Sequence, residues 1–499
     1  MKKIHRVLIC AASVALAVVL LAPSARNLAA QLTRNISLLG PLQNQNKPNP
    51  SPTPAPSATK SALSLTSFFR ISRASAVSAE RRASSPAVAY NPDDNEYLVV
   101  WESDGLTDVK GVTDIYGQRI NGATHAPIGI NFRISNLSDG DNHHSSNDPK
   151  VVYNRTAREY LVVWHGLGLV DSPGRFFEVY GQRLSRIGSE IGNDFRISQL
   201  TELGKVNSTL VRGNTQADVA WNSVNNEYLV IWKGMGEPEE FVKMEIYGQR
   251  VKANGELAGK HFRISHTTNQ GTNFQANAPA VAYNSRDNQY FVVWTGGFKK
   301  EVQTEVWAKV VPAGGGDLSA EDIRISETSS SDRRANLAHV AYNVGNNEYL
   351  VVFQANPLPG VTAVVNDIVG QRIGATNPVQ VQPNYLRISN NTGAGSRVTA
   401  PRVAYNNLSK EYLVIWRSSR ANAPVEISGQ RLNSAGIEIE GDFQITNLSS
   451  VGKDRGIHDA AMTHNGSNGR YFVVWQGNAL AEATSSQIYE IFGQQLSSR

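Results

Sequence analysis

One pattern recurs seven times, in fixed order, along this 499-residue chain, and it limits what the chain can fold into. Its first part, P-x-V-A-Y-N-x4-E-Y-L-V-V-W, spans Pro86 to Trp101, Pro149 to Trp164, Val219 to Trp232, Pro279 to Trp294, Val340 to Phe353, Pro401 to Trp416 and Met462 to Trp475. Its second part, I-Y-G-Q-R, stands at Ile115, Val179, Ile246, Ile368, Ile427 and Ile491, and has decayed in the fourth copy to Val306-Trp307-Ala308-Lys309. Its third part, F-R-I-S, begins at Phe69, Phe132, Phe195, Phe262, Ile323, Leu386 and Phe443, with starts 57 to 67 residues apart. Length alone suggests about three domains, but an array of like units grows as one body.

Residue types and punctuation make each part a strand. V-A-Y-N reads as a short strand, and Asn91 with the turn residues Pro92 to Asn95 makes a hairpin to the next. E-Y-L-V-V-W is apolar on both faces, as a central strand covered on both sides must be. I-Y-G-Q-R and F-R-I-S are shorter and more polar, which places them toward the outer edge. Nothing in the chain has helical periodicity. Four antiparallel strands repeated seven times predict an all-β fold, a seven-bladed β-propeller. The first F-R-I-S precedes the first V-A-Y-N, and none follows the last unit. The strand Phe69–Ser72 is therefore expected opposite Ile491–Leu496, completing the last four-stranded blade and removing an exposed edge.

The net charge of +5 is misplaced for a nucleic-acid binder. Without Lys2, Lys3, Arg6 and Arg26 the chain holds 44 basic against 43 acidic residues, and no basic stripe runs through the repeats. Those charges instead flank an apolar stretch, Val7 to Ala22, followed by small residues, the form of an export signal. Residues 1–30 are read as a signal peptide or, if uncleaved, as an N-terminal membrane anchor. The only cysteine, Cys10, lies inside that stretch, so the mature chain has no disulfide and no thiolate chemistry. Residues 31–65 form a linker, with proline at 48, 50, 52, 54 and 56 favouring an extended, unpacked chain. The propeller is expected over 66–499, secreted or held at the cell surface as a monomer.

These motifs resemble those of bacterial extracellular propeller proteins that carry A-Y-N, Y-L-V-V-W, I-Y-G-Q-R and F-R-I-S repeats, a resemblance that covers about residues 66–499. It implies the fold and export, and no particular activity. The Gly-His/Trp-Asp pairs of WD repeats, the double glycine of kelch repeats and the Asp box of sialidases are absent from the sequence, though Ser103-Asp104-Gly105 grazes the last.

The loops that share a face, such as Glu102–Thr113, Asn136–Asp148, His165–Phe177, Gln199–Gln216 and Lys233–Met244, are long and differ between copies, which is where binding resides on a rigid scaffold. Two register positions vary most. Directly after the strand-ending Trp (or Phe353) stand Glu102, His165, Lys233, Thr295, Gln354, Arg417 and Gln476, and early in the inner strand stand Ala87, Lys150, Asp218, Ala280, His339, Arg402 and Ala461. Of these, Glu102, His165, Lys233, Arg417, Lys150, Asp218, His339 and Arg402 are the candidate ligand-binding residues, against the plainer account that exposed positions drift while the frame is held by packing. Asp139, Asp141 and Asp148, with His143 and His144, make an oxygen- and imidazole-rich loop that suits calcium or a transition metal, although its spacing fits no standard ion loop. The strand-ending tryptophans are assigned to packing, and the Gln-Arg and Arg of the last two motifs to polar ladders between blades. Gly314-Gly315-Gly316 lacks the lysine and helix of a phosphate loop, and no catalytic triad or cofactor motif is evident.

The sequence therefore points to a binding module for a carbohydrate, peptide or surface partner, with no nucleic acid involved. The alternatives are an extracellular enzyme acting on polysaccharide through Glu102, Asp104, His165 or His339, and a structural spacer.

Overall fold

In a computed structural model the described residues lie between 63 and 498, apart from 75–81, 105–111, 137–144, 168–175, 200–211, 236–243, 267–273, 299–303, 328–333, 357–365, 391–395, 449–455, 479–488 and a few single positions near 317–320, 377–383 and 421–422. The expected export signal, most of the expected linker and the greater part of the long loops thus lie outside the described residues. Among the described residues the fold is all-β.

The repeats form antiparallel sheets, most of four strands in chain order, whereas the seventh supplies three strands of its own. In the first, Ala83–Asn91 pairs with Glu96–Ser103, which pairs with Asp114–Asn121, which pairs with Pro127–Arg133. The fourth and fifth repeats are joined into one nine-stranded sheet by a parallel bridge between Thr304 and Arg334. The second strand forms the centre, as its two-sided apolar pattern requires: Tyr97, Leu98, Val99 and Val100 are fully buried, and so are their counterparts in later repeats. Apolar clusters form between successive repeats. Val100 packs with Val162 and Trp164, for example, while Val99 and Trp101 pack with Phe472 and Val474 of the seventh repeat. The six strand-ending tryptophans are 0–2% exposed, so packing is their role.

At the N-terminal end Phe69 and Arg70 pair with Gly493 and Phe492, as the motif offset predicts. The pairing begins earlier than expected, because Leu63–Leu65, inside the assigned linker, also pairs with Leu496–Ser498.

Polar contacts hold the frame in ways the motifs only partly suggest. The V-A-Y-N asparagine is fully buried and caps its own hairpin: Asn154 Oδ1 accepts from Thr156 N at 2.9 Å, while its Nδ2 donates to Asn226 Oδ1 of the next repeat at 2.8 Å. The arginine of I-Y-G-Q-R does not chiefly build a ladder between blades. It pairs within its own blade with the glutamate of E-Y-L-V-V-W, as in Arg119–Glu96 at 2.7 Å, Arg183–Glu159 at 2.8 Å and Arg250–Glu227 at 2.7 Å. A buried charge needs a partner, and the decayed repeats keep that rule. The fourth has Gln289 and Val310 at these two places, and the seventh has Arg470 donating to Gln495 at 3.3 Å.

The F-R-I-S motif is likewise only the end of an outer strand. Phe132 and Arg133 are its last paired residues, after which Ile134 and Ser135 turn inward to full burial. Gly117 makes room for them, because a Cβ there would lie 2.9 Å from both Phe132 and Ile134. The serine then donates to a buried acid just before I-Y-G-Q-R, Asp114, at 2.9 Å, and Arg133 pairs with the same carboxylate at 3.0 Å. The same acid–serine or acid–threonine contact is made at Glu178, Glu245, Glu305, Asp367, Glu426 and Glu490.

A further latch joins neighbouring outer strands: Asn131 Oδ1 accepts from Arg73 N at 3.0 Å, and Asp194 Oδ2 from Asn136 N at 2.7 Å. Burial, helped by Glu190, pushes the Asp194 carboxyl up to about 7 against that hydrogen bond. Between an ordinary carboxylate value and 7, the folded protein holds a proton that unfolding releases, so this residue's contribution to stability falls as pH rises through that window. Asp194→Asn keeps the acceptor, as Asn131 does in the first repeat. It is expected to stabilise the protein by about 2 kcal/mol above pH 7, after discounting for partial exposure, and to be neutral below about pH 4. Urea unfolding of both proteins at the two pH values checks this.

Candidate functional site

The first strands begin with an irregularity. In the first six repeats the inner strand carries an extra residue opposite the strand-ending aromatic residue, so Ser84 faces Glu102 while Ala87 faces Val100; in the seventh Ala460 alone faces Trp475. The bulged residue has a positive φ although it is not glycine: Ser85, Asp148, Gln216, Ala278, Leu337 and Ala400 lie between 48° and 56°. Such a conformation re-aims the side chains on either side of it.

The consequence is a cavity of about 340 Å3 lined by the starts of first strands from all seven repeats. The second repeat contributes Asp148 and Lys150, the third Asp218, the fifth His339, the sixth Arg402 and the seventh Asp459. The first and fourth repeats present Ala87 and Ala280, which leave the space open. Four candidates, Lys150, Asp218, His339 and Arg402, are thus brought together. Glu102, His165, Lys233 and Arg417 are not among the residues lining this cavity. Asp459 was not singled out from the sequence. The signal was available two residues before Ala461, the same spacing in sequence by which Asp148 precedes Lys150.

Charges in the cavity are arranged as carboxylate–cation pairs. Lys150 Nζ pairs with Asp148 Oδ1 and also donates to Pro149 O at 3.3 Å. Arg402 reaches Asp459 of the next repeat at 3.5 Å and donates to Pro401 O at 3.1 Å. Burial presses the Asp148 carboxyl upward, but the charge and hydrogen bond of Lys150 prevail and hold it below the ordinary value. Asp218 goes the other way. Burial raises it against the attraction of Lys150, and its oxygens accept from Val219 N at 2.9 Å and Val281 N at 3.0 Å. His339 Nδ1 accepts from Val403 N at 3.3 Å, and burial, with the charges of Arg402 and Lys150, draws its pKa down to about 3.

The residues after the strand-ending tryptophan serve mainly as braces. Glu102 accepts from Ser84 Oγ at 2.9 Å and from Asp148 N of the next repeat at 2.7 Å, with its carboxyl raised by burial. Thr295 accepts likewise from Leu337 N at 3.1 Å. His165 packs edge-on to Phe177 with ring centroids 5.5 Å apart, and burial lowers its pKa to about 4. Arg417 donates to His458 O at 2.5 Å, and Lys233 is drawn down by burial alone. Asp139, Asp141, His143 and His144 lie outside the described residues. Asp148, the third member of that candidate ion loop, is engaged with Lys150.

No family model matches the chain, and no curated protein is similar to it in sequence. Similar solved structures include prolyl oligopeptidase B from Galerina marginata bound to a macrocyclization substrate (10% identity, TM-score 0.44, covering 80% of this chain and 48% of that one). The alpha-L-arabinofuranosidase Arb93A from Fusarium graminearum is another (10%, 0.43, 70% and 92%), as is Trypanosoma rangeli sialidase (7%, 0.38, 83% and 55%). This chain spans about half the length of the first of these. At such identities none of their functional residues is carried over to this chain.

Proposed function

We propose that this is an exported, monomeric seven-bladed β-propeller that binds a hydroxyl-rich ligand, a carbohydrate unit, in the cavity where its seven first strands meet. Contacts between the seventh and first repeats support the closed ring. Asn465 donates to Asn95 at 3.0 Å, Tyr97 stacks on Phe472 at 4.6 Å, and the N-terminal strand pairs beside Glu490–Ser498. The export signal supports a place outside the cytoplasm.

The observation that carries the ligand reading is the pair of carboxylate–cation dyads, Asp148–Lys150 and Arg402–Asp459, in one 340 Å3 cavity. Each dyad is internally neutralised, which disfavours a strongly charged ligand. Each still offers a donor beside an acceptor, the match for neighbouring hydroxyls. A cavity of this size admits one sugar unit rather than an extended chain. Lys150→Met and Arg402→Met are each expected to weaken glycan binding about 30-fold, the loss of one charge-assisted hydrogen bond and part of its support. A glycan array, run with and without calcium and followed by calorimetry on the best ligand, tests this. A folded protein that binds no glycan, or variants that bind as well as the parent, would sink it.

One observation favours a second reading, hydrolysis. Asp148 is held ionised while Asp218 is pushed toward its protonated form, and opposed environments on two carboxyls are what general acid–base work requires. Under that reading Asp218→Asn abolishes cleavage of a bound glycan and leaves its binding intact.

A further inference from the structure

The contact between the N-terminal strand and the first repeat has a counterpart between the sixth and seventh repeats, and the two can be compared residue by residue. Ala74 N donates to Glu490 Oε2 at 3.2 Å, just as Leu448 N donates to Glu426 Oε1 at 2.6 Å. Leu448 is fully buried, packed with Trp475 and Ile457. At the other junction the places of Leu448 and Ile457 are taken by Ala74 and Ala83, beside Trp101 and Tyr116. Two branched side chains are thus missing against the same aromatic wall. In their stead is a cavity of about 200 Å3, lined by Ala74, Trp101, Ser103 and Tyr116.

The mouth of this cavity is distinctive. Ile130 stands there 84% exposed, where the outer strands of the second, third and sixth repeats carry Asn193, Lys260 and Gly441. Arg73, exposed, is the one cation among the described lining residues. The wall is fixed, since Asn131 donates to Ile71 O at 3.2 Å and accepts from Arg73 N at 3.0 Å. Apolar cavities of roughly 150 Å3 take up benzene-sized guests, so there is room here for an isobutyl group. The repeat itself indicates the guest's shape, because its own sister junction is filled by a leucine.

We propose that this cleft is a second binding site, distinct from the axial cavity, for a branched aliphatic group joined to a carboxylate, the chemistry of a peptide whose last residue is leucine. The aliphatic end replaces the side chain that Ala74 lacks, Ile130 covers it from outside, and the carboxylate meets Arg73.

The test is calorimetric titration of the full-length protein with N-acetyl-leucine, with N-acetyl-leucinamide as the uncharged control. Saturable binding of the acid is expected, with the amide about tenfold weaker for want of the charge-assisted contact. Arg73→Ala should weaken the acid to the level of the amide. Ala74→Leu installs the residue of the sister junction, so it should abolish uptake while leaving the melting temperature equal or higher. That outcome separates a filled site from a misfolded protein. A folded parent protein that takes up no N-acetyl-leucine at millimolar concentration, or equal uptake by Ala74→Leu, overturns the proposal.

Discussion

A chain begun at Ser75 is expected to lose its cooperative thermal transition, and to regain it when a peptide of residues 61–74 is added. The removed segment supplies three apolar contacts. Ile71 is 2% exposed, Phe68 lies edge-on to Trp475 and Phe492 with centroids 5.9 Å from each, and Phe69 stacks on Phe472 at 6.0 Å. Three such side chains are worth about 1.5–3 kcal/mol each. The loss at Glu490 is as large. Its carboxylate is fully buried and is met by Arg70, Ser72 and the Ala74 N–H, all of which leave together. Stripping partners from a buried charge costs about 3–5 kcal/mol. Together these approach about 10 kcal/mol, the scale of a whole domain's stability. Circular dichroism melts of the shortened chain, alone and with the peptide, check the expectation. A shortened chain that melts like the parent would show that the sheet of the seventh repeat does not depend on this strand.

The frame was legible in the sequence because packing repeats it. Val, Leu, Tyr and Trp of the second strand are buried on both faces in each copy, so their pattern survives, and the displaced first F-R-I-S revealed which strand pairs with Glu490–Ser498. The polar frame was less legible. Glu96 and Arg119 pair across adjacent strands of one blade, and their dependence is visible only where both change together, as at Gln289 and Val310. The acid before I-Y-G-Q-R went unremarked because its partner Ser135 lies 21 residues away, beyond a hairpin and a bulge. The site was legible in half. Lys150, Asp218, His339 and Arg402 share one register position and converge, whereas Glu102 and His165 stand on the far side of the bulge, Glu102 accepting from the next repeat and His165 packing on Phe177. No glycine marks that bulge. Ser85, Asp148, Gln216, Ala278, Leu337 and Ala400 adopt positive φ under tertiary constraint, which local sequence does not announce.

His339 gives the second large effect, and its sign follows from its hydrogen bond. Because Nδ1 accepts from Val403 N, the ring must be neutral with its proton on Nε2. Protonating Nδ1 would set two donors against each other beside Arg402 and Lys150, with Asp218 in the same cavity turned toward backbone amides. The folded pKa of about 3 lies far below the unfolded value of about 6.5, so between them unfolding takes up a proton. The contribution of His339 is therefore complete above about pH 6.5 and falls by about 1.4 kcal/mol for each pH unit below it. His165, drawn to about 4, adds a loss of the same sign over a narrower window, while Asp194 works in the opposite sense. The total pH profile therefore mixes these terms, and a difference between proteins isolates one of them. His339→Asn offers Val403 an acceptor that does not titrate. It is expected to be less stable than the parent at pH 8, where the imidazole packs better, and to gain on it by about 3 kcal/mol on acidification to pH 4.5. Urea unfolding of both proteins at pH 8, 6 and 4.5 measures that gain. Parallel curves would mean that His339 takes up its proton at the same pH in the folded protein as in the unfolded chain, and its bond to Val403 would then have to be abandoned.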